Sequence, residues 1–168
     1  MSKRVLILAE DNFRDEELVY PLYRMKEAGY RVTVAAKGKH EVHGKFGMPV
    51  SVDTDLSKIK ATDFDAVIIP GGYAADKLRM YKEVLSIVKN MNTSGKIIAS
   101  ICHAGWVIAS ADIIRDRNVT SYISIKDDMV NAGGKWEDKE VVVDGNLITS
   151  RKPEDLPAFC KEIIKKLG

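Results

Sequence analysis

Four stretches of this chain, Val5–Ala9, Arg31–Ala36, Asp65–Ile69 and Ile97–Ile101, are apolar along most of their length. They do not alternate apolar with polar. A strand that is apolar on both faces must be covered on both faces. Helical patterns lie between them. Glu16–Gly29 puts Leu18, Leu22, Met25 and Ala28 on one side, with Gly29 as its stop, and a second helix is expected over Met80–Met91. Buried strands separated by helices predict a parallel sheet sandwiched between helical layers. The expectation is one flavodoxin-like, doubly wound α/β domain over residues 1–168.

The rest of the chain is consistent with that plan. Lys39–Asp53, with Gly44, Gly47 and Pro49, reads as a β-hairpin excursion. Val119–Tyr122 reads as a short strand. Glu140–Val143 and Leu147–Thr149 flank Asp144-Gly145-Asn146, a strong hairpin signal. Pro153–Leu167 is a closing helix with proline in its first turn. Pro21, inside the first helix, removes a backbone donor and is expected to kink it.

Composition narrows the function classes. The 168 residues carry 26 basic and 24 acidic side chains, a formal net charge of +2. That balance argues against a nucleic-acid partner. No run reaches the length of a membrane-spanning helix, so no membrane partner is expected. The start, MSKRVLILAEDN, lacks the long apolar segment of a signal peptide. A cytoplasmic protein is the resulting expectation. Cys102 and Cys160 are too few for a disulfide framework. His40, His43 and His103 show no zinc-ligand spacing, and no metal site is expected. His40 and His43 fall in the polar hairpin as a solvated pair.

The most informative segment is KIIASICHAGWVIAS, Lys96–Ser110. A buried strand stops at Cys102-His103, Ala104-Gly105 follows, and a helix starts near Trp106. A cysteine at such an elbow projects its sulfur out of the sheet. It also sits at a helix N-terminus, which favours thiolate. Unpaired N–H groups at the helix start can hold an oxyanion. In doubly wound sheets ligands bind at the carboxyl ends of the strands. Glu10–Glu17, Gly71–Asp76 and Cys102-His103 all fall there. Trp106 is read as packing near the site, and Cys160, in the closing helix, as inert.

At this point the chain resembles the ThiJ/PfpI family, and within it the archaeal intracellular protease branch. The matching blocks are EELVYP (Glu16–Pro21), PGGYA (Pro70–Ala74), ASICH (Ala99–His103), TSY (Thr120–Tyr122), IKDDMVNAG (Ile125–Gly133) and VVVDGNLITSR (Val141–Arg151). The resemblance implies a flavodoxin-like, class I glutamine amidotransferase-like sandwich and self-association as a dimer or hexamer. It implies Cys102 as nucleophile beside His103. The His103 N–H, with that of Gly72, would form the oxyanion hole, and Glu17 would face the sulfur. An acid from a neighbouring subunit falls at Asp76, where the proteases carry glutamate. Asp76 reads equally as the N-cap of a helix starting near Lys77. Ala104 and Tyr122 would line the pocket, though Tyr122 fits a core position as well. The chain departs from the proteases at Ala104-Gly105, where they have Gly-Pro, and at Ile123-Ser124, where they have Pro-Gly. It also carries Arg14 in the entrance loop in place of an acid.

These readings predict a cysteine-dependent intracellular hydrolase of the PfpI protease type, with Cys102 as nucleophile, acting on a peptide or small carbonyl substrate without a cofactor. The alternatives are a cofactor-independent glyoxalase III or protein deglycase acting on methylglyoxal-type carbonyls, and a non-enzymatic redox sensor or chaperone built on an oxidisable thiol. A nucleotide-binding module lacks its glycine fingerprint, since AEDNFRD follows the first strand. A class I glutaminase needs a later histidine, and none follows His103.

Overall fold

Strand β1 (Arg4–Leu8) places Val5 and Ile7 on one face of the sheet and Leu6 and Leu8 on the other, all fully buried. The computed structural model describes residues 2–168. After β1 the chain runs α1 (Asp15–Glu27), β2 (Arg31–Ala36), β3 (Glu41–His43), β4 (Pro49–Ser51), β5 (Thr54–Asp55), β6 (Ala66–Ile69), α2 (Ala74–Leu78) and α3 (Lys82–Thr93). It continues through β7 (Ile97–Ile101), α4 (Gly105–Ser110), β8 (Asn118–Val119), α5 (Lys126–Asn131), β9 (Lys135–Trp136), β10 (Val141–Asp144), β11 (Leu147–Ser150) and α6 (Leu156–Leu167).

The central sheet has the order β10-β11-β7-β6-β1-β2-β5. All its pairings are parallel except β10 with β11. Ile7 lies between Val34 and Ile68 in register, so β1 is central and apolar neighbours flank it. One face is covered by α1 and α6, through Leu18, Met25, Phe159 and Ile163. The other is covered by α2, α3, α4 and α5, through Leu78, Val88, Val107 and Met129. This is the flavodoxin-like α/β sandwich that the sequence predicts.

Several local expectations need adjusting. Helix α1, expected over Glu16–Gly29, spans Asp15–Glu27 and holds Pro21 buried inside it. Proline has no N–H to return to the Glu17 carbonyl one turn earlier, but the ladder resumes beyond it. The helix expected over Met80–Met91 begins at Lys82, and a short α2 precedes it. The strand expected over Val119–Tyr122 ends at Val119 and pairs with Lys135–Trp136. The hairpin excursion forms as β3 and β4, with His43 exposed and paired with Glu41 at 3.1 Å. The closing helix starts at Leu156, after a single 3₁₀ turn over Pro153–Asp155.

Candidate active site

Strand β7 ends at Ile101 with extended geometry, and Cys102 follows with φ of +61°. A left-handed conformation at a non-glycine residue costs on the order of 1 kcal/mol or more. It turns the chain from strand into the 3₁₀ turn Cys102–Ala104 that leads to α4. The loop after β1 closes over this elbow. The Arg14 N–H donates to the Gly71 carbonyl at 3.1 Å and the Ala74 N–H to the Asn12 carbonyl at 3.2 Å. Phe13, fully buried, bridges to Gly44 and Gly72.

Gly71 lies between the two chemical groups. A Cβ there would stand 2.4 Å from Glu17 Oε2 and 2.7 Å from Cys102 Cβ. Only glycine lets the carboxyl and the thiol flank one residue this closely. Glu17 is fully buried on the first turn of α1, and its Oε2 accepts from the Gly71 N–H at 2.8 Å. Its Oε1 is buried without a hydrogen-bond partner. Burial raises the Glu17 carboxyl from the usual carboxylate range to about 8. The carboxyl is therefore protonated at neutral pH, and Oε1 is the oxygen free to hold the proton and present it to Cys102.

Burial first, and then the charge of an ionised Glu17, push the Cys102 thiol up to about 12. The N–H groups of His103 and Gly72 point at the sulfur and pull the other way. This corrects the expectation of a helix-favoured thiolate: the sulfur's residue is 8% exposed, α4 has six residues, and desolvation outweighs the dipole. Two negative charges on either side of Gly71 are mutually excluded, so the pair holds at most one. With Glu17 protonated, its upward push on the thiol vanishes and its O–H becomes a donor to sulfur. Cys160 is fully buried in α6, and burial pushes it also to about 12, with no comparable donors.

His103 is half-buried. Its Nδ1 lies 3.3 Å from Cys102 Sγ and its Nε2 3.2 Å from Ser124 Oγ. Tyr122 stacks on the ring at 5.1 Å between centroids, and Trp106 meets it edge-on at 5.2 Å. Burial lowers the His103 pKa, so the ring is neutral at pH 7. Ser124 suits a neutral ring, because its hydroxyl donates to or accepts from either tautomer.

A cavity of about 480 Å³ opens over the elbow. Cys102, His103, Glu17, Gly72 and Tyr122 line it, as the sequence predicts, together with Arg14, Lys45 and Lys152. Ala104 does not. It is fully buried on the opposite face of the sheet, packed with Val107 and Ile108, because the left-handed turn at Cys102 sends the two side chains to different faces. Asp76 is exposed on the first turn of α2, outside the cavity, and it caps nothing: the N-cap position is Tyr73, without a side-chain bond. Ser124 and Lys45 were not singled out from sequence. The Ile123-Ser124 departure beside Tyr122 was the one available signal for Ser124. Among the described residues no His, Cys, Asp or Glu cluster could hold a metal ion, and no helix is long and apolar enough to cross a membrane.

Residues 3–166 match the DJ-1/PfpI family. The chain belongs to that family. A deglycase of Pyrococcus abyssi is 46% identical over 164 residues, covering 98% of this chain and 99% of its own. YraA of Bacillus subtilis, provisionally named a cysteine protease, is 39% identical over 168 residues, covering 99% of both chains. Among solved structures, a two-domain Anabaena variabilis protein with DJ-1/ThiJ/PfpI-like and ferritin-like domains superposes with a TM-score of 0.96 at 38% identity. The match covers 99% of this chain and 48% of that longer one. The DJ-1/PfpI assignment agrees with the blocks read from the sequence, which carry Glu17, the Gly71-Gly72 turn and the Cys102 elbow.

Proposed function

We propose that this chain is a cofactor-independent, cysteine-dependent enzyme of the deglycase and glyoxalase type, acting on reactive 1,2-dicarbonyl compounds and their adducts. The observation that carries this reading is the pairing of Cys102 with a protonated, buried Glu17 across Gly71. The named deglycase relative supports it.

The chemistry follows from the groups in place. Neutral His103, whose Nδ1 lies 3.3 Å from Sγ, takes the Cys102 proton as the sulfur adds to the aldehyde carbon of R–CO–CHO, forming the S–C bond while the carbonyl electrons move to oxygen. The Gly72 and His103 N–H groups hold that oxygen, and the Glu17 O–H protonates it. Glu17, now a carboxylate, removes the hydrogen from the same carbon. The resulting enediol is reprotonated at the neighbouring carbon, which leaves a thioester of the 2-hydroxy acid. Water cleaves the thioester, releasing R–CHOH–COO⁻; the His103 proton returns to the sulfur, and the proton shed by the acid returns to Glu17. The net change is addition of one water, and no oxidant or reductant enters. A group that both gives and takes a proton near neutral pH is best served by a pKa near 8.

The test is lactate formation from methylglyoxal by purified protein, beside Cys102→Ser and Cys160→Ser variants and a fluorogenic peptide. Lactate production lost only in Cys102→Ser is expected. Peptide cleavage without lactate production would move the assignment to a peptidase. Oxidation of Cys102 without turnover would move it to a redox sensor.

A further inference from the structure

We propose that the Cys102 cavity selects carbonyl substrates that carry an anionic group, a carboxylate or a phosphate, beyond the reacting carbon. This deepens the proposed function and rests on Cys102 attacking a carbonyl there.

Three cations, Arg14, Lys45 and Lys152, line the cavity. Among the described residues, the only carboxyl lining it besides the protonated Glu17 is that of Glu154. The chain as a whole is nearly balanced, with 26 basic and 24 acidic residues. The excess is therefore a property of this cleft. Arg14 is paired with Glu16 at 2.9 Å. Lys45 and Lys152 have no carboxylate within ion-pair distance among the described residues. The Lys45 ammonium instead stands 5.6 Å over the rings of both Phe46 and Tyr73. Aromatic faces hold a cation in place without neutralising it.

A cleft lined by one sign of charge focuses its field and concentrates counter-charged ligands. About 480 Å³ lies within the range of ligand pockets, and a three-carbon neutral dicarbonyl offers the lysines no counter-charge. A substrate that seats its carbonyl under the Gly72 and His103 donors and extends an anion toward Lys45 and Lys152 uses both ends of the cavity. The reaction that supplies such a substrate would be one that oxidises or dehydrates an anionic sugar derivative, or that adds a dicarbonyl to an amino acid retaining its carboxylate.

The experiment compares alkylation of Cys102 by iodoacetate and by iodoacetamide. In both, the sulfur displaces iodide and gains a CH₂ group. The reagents differ in carrying a carboxylate or a neutral amide. The readout is the ratio of the two rate constants from peptide mass mapping, and it requires no turnover. Failure of the methylglyoxal assay therefore counts against the proposed function alone. Lys45→Met combined with Lys152→Met is expected to lower the iodoacetate-to-iodoacetamide ratio about 3- to 10-fold. Added salt should lower it in wild type. Lys60→Met combined with Lys89→Met removes the same charge from exposed positions, on the segment before β6 and on α3, and should leave the ratio unchanged. An unchanged ratio in the cavity variant, or an equal fall in both variants, would overturn the proposal. Protection of wild-type Cys102 from iodoacetamide by inorganic phosphate, compared with acetate, identifies the preferred anion. Protection by neither would also overturn it.

Discussion

Replacing Glu17 by glutamine separates the stability of this protein from its chemistry. The carboxyl is fully buried, and burial raises it from 4.5 to about 8. The folded state therefore binds this proton more tightly than the unfolded chain does. The stability contributed by the protonated form is complete below pH 4.5 and is lost progressively as pH rises toward 8. At pH 7, about 2.5 pH units above 4.5, the loss at about 1.4 kcal/mol per unit comes to about 3 kcal/mol. Glutamine keeps the shape and does not titrate. Guanidinium unfolding of wild type and Glu17→Gln between pH 4.5 and 8.5 measures the difference directly, and other titrating groups cancel between the two proteins. The stability of Glu17→Gln relative to wild type should rise by about 3 kcal/mol from pH 4.5 to pH 7. Methylglyoxal turnover should fall on the order of a hundredfold, as for loss of a proton-transfer group. A stability difference that stays flat with pH would show that Glu17 is ionised in the folded protein, and the proton-sharing argument would collapse.

Ser124→Ala should lower kcat/KM about 2- to 10-fold and alter its pH profile through His103, with Ser124→Thr retaining activity; an unaltered profile would make the 3.2 Å contact incidental. Lys39→Met should destabilise by about 3–5 kcal/mol in equilibrium unfolding, because Lys39 is the ion partner of the fully buried Glu10. The remaining partners of Glu10 there, the Tyr81 hydroxyl at 2.8 Å and the Asp11 N–H at 2.7 Å, are neutral donors. Gly71→Ala should abolish both methylglyoxal turnover and Cys102 alkylation, since its methyl would fall 2.4 Å from the Glu17 carboxyl and 2.9 Å from the Ile101 carbonyl. A Gly71→Ala protein alkylated at the wild-type rate would show that the elbow tolerates what the geometry forbids.

The layered fold was legible because its signals are repeated. β1, β6 and β7 are buried on both faces, and no amphipathic alternative fits such runs. Misjudged elements were short ones, where few residues carry the signal. Thr120 and Ser121, expected in a strand, are buried off the sheet, with the Thr120 N–H donating to Thr149 Oγ1 at 2.9 Å. β5, β8 and β9 have two residues each, and tertiary pairing rather than local pattern creates them. Helix α2 has five residues and no side-chain cap to announce it.

Within the site, legibility followed the backbone. Cys102, Gly72 and Glu17 sit where strand ends and helix starts converge in a doubly wound sheet; that convergence marked the segments, and the ThiJ/PfpI resemblance picked Glu17 from among Asp11, Asp15 and Glu16. What the sequence concealed is how the groups share charge. A cysteine at an elbow suggests thiolate. Burial reverses that expectation by raising the thiol, and it lowers the imidazole beside it. Proton sharing then shifts from the Cys102-His103 neighbours to Cys102 and Glu17, which are 85 positions apart. His103 is left neutral, held between Tyr122 and Trp106 with both ring nitrogens engaged inside the chain. An acid from a second subunit, the place the resemblance gives to Asp76, would meet an Nε2 already bonded to Ser124 Oγ at 3.2 Å. A carboxylate there would raise the ring's pKa and restore an imidazolium beside the thiol, whereas a serine leaves the ring uncharged. Ser124, standing where the proteases have glycine, thus gives the ring a neutral partner and leaves the proposed proton shuttling to Glu17.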